Sequence, residues 1–114
     1  MPNNDVPAPL PETDVPITEV TVKIVNKKGL HARAAAKFVK AAAAFNARVM
    51  VSKITGAGNI PVQDAQEVSA SSILGLMMLG AECNSTLRLR ISGEQMTEAA
   101  HALKELIKSK FGEE

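Results

Sequence analysis

One short run limits the possible folds more than any other: Gly29-Leu30-His31-Ala32-Arg33-Ala34-Ala35-Ala36-Lys37-Phe38-Val39. The residues before it, Ile17 to Val25, alternate apolar and polar with many β-branched side chains, which is the period of a half-buried strand. Asn26-Lys27-Lys28-Gly29 then reads as a turn. Alanine is the best helix former, so a helix starts at or just after His31 and runs to about Phe45. Phe38, Val39, Ala42 and Phe45 recur at helical spacing and mark its apolar stripe. From Ile17 the chain therefore runs as strand, tight turn and amphipathic helix, with His31 at the junction.

That position carries chemistry. The first N–H groups of a helix have no intrahelical acceptor, and with the helix dipole they favour an anion. Arg33 adds a fixed positive charge whose fork fits phosphate. A nucleophilic imidazole beside free donors and an arginine suits a histidine that carries a phosphoryl group. The plain alternatives are a histidine that only caps the helix and an arginine that is only solvated. Lys37 and Lys40 continue the basic spacing from Arg33, which is either a solvated face or a surface for acidic partners.

The remaining chain is read in order. Residues 1–16 hold five of the six prolines and no charge except Asp5, Glu12 and Asp14, so a disordered tail is expected there. The folded domain is expected over 17–114. Ala47 to Ile54 reads as a second strand, Thr55 to Asn59 as a loop, and Val62 to Val68 as a third strand. Serine before the apolar run Ile73 to Leu79 is an N-cap signal, which predicts a short helix from Ser72 to Leu79. So short a helix cannot bury all of its leucines and methionines. Gly80 ends it, and Asn84 suits a left-handed turn. Thr86 to Ile91 alternates as a fourth strand, apolar in and basic out. Ser92-Gly93-Glu94 turns into a last helix that runs to about Lys110 and buries Ala99, Ala100, Leu103, Leu106, Ile107 and Phe111, with His101 on its polar side.

Composition removes several classes. The 114 residues make one core rather than two, and the net charge of +1 supplies no global field for nucleic acid. There is no Trp or Tyr and only three Phe, which disfavours base stacking and with it a small RNA-binding domain. A single cysteine, Cys83, excludes an internal disulfide and suits a reducing compartment. With only two histidines far apart, a metal site is not expected. No apolar run is long enough to span a membrane and no leader is recognisable, so a cytoplasmic protein is expected.

The run Gly29-Leu30-His31-Ala32-Arg33-Ala34-Ala35 resembles the active-site signature of the HPr family, Gly-Leu/Ile-His-x-Arg-Pro-Ala. These are the histidine phosphocarriers of the phosphoenolpyruvate-dependent phosphotransferase system. Ser72-Ile73-Leu74-Gly75-Leu76-Met77-Met78-Leu79-Gly80 resembles the family's second-helix motif. The one departure is Ala34 for proline, which leaves an additional donor in the first turn.

The resemblance implies an α+β open-faced two-layer sandwich of order βαββαβα, four antiparallel strands with three helices on one face. It implies phosphoryl transfer from enzyme I to His31, with Arg33 assisting, and on to an enzyme IIA-type acceptor. Lys37, Lys40, Leu74 and Met77 become candidate partner-binding residues. Ser72 aligns with the serine modified by the HPr kinase/phosphorylase. No cofactor, no metal, no nucleic acid and no membrane is implied, and the chain is expected to be a monomer. The competing reading is a non-enzymatic regulatory module that binds partners through Ile73 to Leu79 under control of Ser72.

Overall fold

The computed structural model describes residues 16–54 and 67–112. The elements are β1 (Ile17–Lys23), α1 (Ala32–Ala43), β2 (Arg48–Ile54), β3 (Glu67–Ser69), α2 (Ile73–Met78), β4 (Thr86–Ser92) and α3 (Met96–Lys108), then a short turn over Lys110–Gly112. The strands form one antiparallel sheet in the order β1-β4-β2-β3. β4 is central, and its alternation shows why: Leu87, Leu89 and Ile91 are fully buried while Arg88 and Arg90 face the other side. The register places Val20 and Val51 on either side of Leu89, so three strands send apolar side chains to one face. α1 and α3 lay Ala34, Ala35, Phe38, Ala99, Leu103 and Ile107 onto that face. Each large apolar side chain fully buried contributes about 1.5–3 kcal/mol, so this layer carries most of the stability.

The other face of the sheet is polar. Arg90 lies 3.3 Å from Glu67, and Arg88 lies 3.7 Å from Glu19. These half-exposed pairs are worth about 0–1 kcal/mol each. They also balance the positive charge of β4, so its basic outer row is not an open cationic strip.

Several boundaries differ from the sequence expectation, each for a tertiary reason. α1 ends at Ala43 rather than Phe45, because Asn46 bonds to the β4–α3 turn instead. Asn46 N–H donates to Gln95 Oε1 at 2.7 Å, its Nδ2 donates to Glu94 Oε1 at 2.7 Å, and its carbonyl accepts from Gln95 N–H at 3.0 Å. The same contacts delay α3 to Met96 and leave Ala47 outside β2. Gly93 makes the approach possible: at φ +113° a Cβ there would lie 2.9 Å from Ala47 Cα.

α3 also stops early, at Lys108. Lys110, Phe111 and Gly112 take left-handed angles of +59°, +57° and +71°. Phe111 is buried as expected, at 1% exposure, but a reversed turn carries it there rather than a continuing helix. The third strand is seen only at its end, Glu67–Ser69; residues 62–66, the expected loop at 55–59 and residues 1–15 of the proposed tail lie outside the described residues.

Candidate functional site

His31 is the N-cap of α1, with extended backbone angles of −81° and −178°. Its carbonyl accepts the first helical bond, from Ala35 N–H at 2.8 Å. Its ring Nδ1 accepts from the Arg33 backbone N–H at 3.2 Å. A nitrogen that accepts carries the lone pair, so the neutral ring holds its proton on Nε2. The nucleophilic lone pair is thus aimed along the first turn of α1, where the N–H groups have no intrahelical acceptors. His31 is half-buried and Arg33 exposed. The first turn holds no acidic residue, so nothing within it offsets the positive end of the helix.

The loop leading to His31 is held on three sides. Gly29 N–H donates to Asn26 carbonyl at 3.1 Å, and Asn26 Nδ2 donates to Gly29 carbonyl at 2.8 Å. Leu30 N–H donates to Ala81 carbonyl at 2.9 Å. Asn84 N–H donates to Ile24 carbonyl and Ile24 N–H to Ser85 carbonyl, at 2.7 and 2.8 Å, tying the end of β1 to the α2–β4 connection. Gly29 sits at φ +69°, and a Cβ there would fall 2.5 Å from Ala81 O. Only glycine fits so close a left-handed backbone without displacing the connection. Asn84 takes the left-handed geometry expected of it, φ +78°.

Ser72 caps α2: its Oγ accepts from Gly75 N–H at 2.9 Å and its carbonyl from Leu76 N–H at 3.0 Å. Within α2 only Leu76 is buried. Leu74 and Met78 are 68% and 65% exposed, and Ile73 and Met77 are 41% exposed. The apolar surface expected around Leu74 and Met77 therefore exists and includes Ile73 and Met78.

The two helix heads and the basic spacing of α1 are placed as follows. The His31 loop touches Ala81 and Glu82, just past the exit of α2, whereas Ser72 caps its start. Six helical residues, about 9 Å of axis, lie between those ends. Lys40 is exposed, but Lys37 is half-buried and its Nζ donates to Phe111 carbonyl at 2.7 Å. The spacing Arg33, Lys37, Lys40 thus holds one cation engaged with the C-terminal turn. Sequence reasoning also missed Lys53, whose Nζ donates to Gly80 carbonyl at 3.1 Å and steadies the end of α2. Among the described residues no group of His, Cys, Asp and Glu is placed to hold a metal, and no helix is long and apolar enough to cross a membrane.

A half-buried histidine at the head of one helix, with an apolar two-turn helix beside it on the same face of a four-stranded sheet, defines a small open-faced sandwich with an imidazole capping its first helix. The chain belongs to the HPr family of phosphocarriers. Residues 18–109 match the family described as the PTS HPr component phosphorylation site. The phosphocarrier protein HPr of Treponema pallidum is 37% identical over 94 residues, 82% of this chain and 96% of that protein. That of Pseudomonas aeruginosa is 41% identical over 99 residues, 87% of this chain and 98% of that protein. A crystal structure of HPr from Thermoanaerobacter tengcongensis superposes with a TM-score of 0.71 at 42% identity, covering 85% of this chain and 98% of that one.

Proposed function

We propose that this chain relays a phosphoryl group through His31 Nδ1, from a phosphohistidine of enzyme I to a histidine of an enzyme IIA-type acceptor. The observation that carries the proposal is the Nδ1 lone pair held 3.2 Å from the Arg33 N–H at the head of α1. In the accepting step the lone pair forms the new N–P bond while the donor's N–P bond breaks and its imidazole leaves with the bonding pair. No proton has to leave Nδ1, because the ring proton is already on Nε2. The Arg33 N–H, released by the lone pair, then turns to a phosphoryl oxygen. The Arg33 guanidinium, free to swing at the surface, neutralises charge that builds on the phosphoryl oxygens during transfer. The reverse sequence of bonds delivers the group to the acceptor.

The exposed leucine and methionines of α2 supply an apolar docking surface, with Leu74 and Met77 as its candidate anchors. Arg33 and Lys40 supply the complementary charge for acidic partners, whereas Lys37 contributes more to the fold through Phe111. Ser72 is the proposed target of an HPr kinase/phosphorylase. About −1.5 to −2 charge at the start of α2 would act on the docking surface directly. It lies about a Debye length, roughly 8 Å at physiological salt, from the end of α2 that braces the His31 loop. Its effect should therefore fall on docking more than on the imidazole.

Incubation with phosphoenolpyruvate, enzyme I and acceptor is the test. The expected product is a phosphate on His31 that is labile in acid and stable in base. Phosphate retained by a folded His31→Ala protein would overturn the assignment.

A further inference from the structure

We infer that Asn26 is a positioning residue for phosphoryl transfer: its side chain sets the angle at which the chain delivers His31 to the head of α1. The inference rests on the carrier reading above and adds a residue to it.

Asn26 is fully buried, five residues before His31, and closes its turn twice. Its carbonyl accepts from Gly29 N–H at 3.1 Å while its Nδ2 donates to Gly29 carbonyl at 2.8 Å. Gly29 is thereby held in its left-handed conformation against Ala81 and Glu82. The next residue, Leu30, is fixed by its own bond to Ala81 carbonyl. The backbone polar groups on both sides of Gly29 are thus committed before the chain reaches His31. Nδ1 meets the Arg33 N–H of the first turn, so its direction depends on where the arriving backbone delivers His31 relative to that turn. Loss of the Asn26 bond frees the Gly29 carbonyl and lets that direction vary.

A second observation distinguishes this role from ordinary turn packing. Asn26 Oδ1 is also buried and has no hydrogen-bond partner among the described residues. Buried polar atoms in native proteins are nearly always paired, and an exception calls for an explanation. The amide is satisfied only on the side that serves Gly29. Its contribution to stability is therefore reduced by the orphaned oxygen, while its contribution to loop geometry is intact. A residue that served the fold alone would lose stability and function together when replaced. Asn26 should separate them.

The experiment compares wild type with Asn26→Ala and Asn26→Ser in the full chain. The serine is the conservative variant, since its hydroxyl retains a donor. Three quantities are read: thermal midpoint, phosphorylation kinetics of the carrier by phospho-enzyme I, and the tautomer ratio of the unphosphorylated His31 ring by 15N NMR. Asn46→Ala, which removes an amide contact to Glu94 in the turn at the other end of α1, is the control for stability lost elsewhere.

In Asn26→Ala we expect kcat to fall by about tenfold or more, short of the roughly hundredfold that a 1 Å misplacement can cost, with KM little changed. The fraction of His31 with its lone pair on Nδ1 should fall in the same protein, and Asn26→Ser should recover part of both. Asn46→Ala should lower the thermal midpoint without moving the tautomer ratio. Wild-type kcat and tautomer ratio in a folded Asn26→Ala would overturn the inference. If Asn26→Ala does not fold, Asn26→Leu, which fills a similar volume and keeps no donor, decides by the same two readings, wild-type values again overturning it. A wild-type protein that takes no phosphate on His31 would sink the carrier reading instead, and the tautomer ratio would still judge Asn26.

Discussion

The two helix heads on the covered face of the sheet make an instructive pair. Both are capped by a side chain that accepts a backbone N–H, and neither helix has an acidic residue in its first turn. At α1 the cap is an imidazole reaching the second N–H of the helix at 3.2 Å; at α2 it is a serine hydroxyl reaching the third at 2.9 Å. Serine is among the preferred caps, and histidine is not. The weaker cap sits on the better helix: α1 has 12 residues with four of them buried, whereas α2 has six with only Leu76 buried. α1 can therefore do without an optimal cap because packing holds it, and its head is left available for chemistry. α2 depends more on its cap and leaves its apolar surface to solvent.

That contrast predicts a graded set of outcomes. The largest is His31→Ala, which should abolish phosphorylation of the carrier while stability changes by no more than about 1 kcal/mol, since the cap is a poor one. Radiolabelled phosphate transfer together with thermal unfolding would show whether chemistry and folding separate at this position. Arg33→Ala comes next. Removing a charged contact to the phosphoryl group should cost roughly 1.5–3 kcal/mol, a ten- to hundredfold fall in the transfer rate, with the fold unaltered. Equal rates for mutant and wild type in rapid-quench measurements would take Arg33 out of the site.

At α2 the pattern should invert. Joint replacement of Leu74 and Met77 by serine should leave stability within about 0.5 kcal/mol, as exposed positions do. It should raise the KM for enzyme I by about tenfold, the loss of one well-seated apolar anchor. An unchanged KM would mean that partners dock elsewhere. The smallest effect on transfer belongs to Ser72→Ala. Loss of a serine cap costs about 1 kcal/mol, which lowers the melting temperature by roughly 4–8 °C in a domain of this size while phosphorylation proceeds. Ser72→Asp, by contrast, should weaken docking on enzyme I without slowing the chemical step. A fall in kcat at unchanged KM would mean that charge at Ser72 reaches the imidazole after all.

Much of this architecture was legible from local patterns. The alternation in Thr86 to Ile91 marked a strand with one buried face, and it became the centre of the sheet. The N-cap at Ser72, the left-handed Asn84 and the exposed side of α2 each follow from a few adjacent residues. The helix ends were less legible. Phe45 belongs to the apolar period of α1, and only the pull of Gln95 and Glu94 on Asn46 takes the chain out of the helix before reaching it. Lys37 read as a free basic residue, and only the fold brings Phe111 carbonyl to its ammonium, 74 positions along the chain.

The sequence by itself determined which histidine stands at the head of a helix: a turn glycine, an imidazole and an alanine run place His31 there. Periodicity likewise determined β1, α1, β4 and α3 and the face each buries, because those depend on neighbours two residues away in a strand and three or four away in a helix. The tertiary structure decided how that ring is aimed. The clamp of Asn26 on Gly29, the press of Gly29 against Ala81 and the reversed turn that returns Phe111 to Lys37 are contacts between segments distant in sequence or hidden within a turn. Their geometry exists only once the layers have packed, so no periodicity in the chain encodes it.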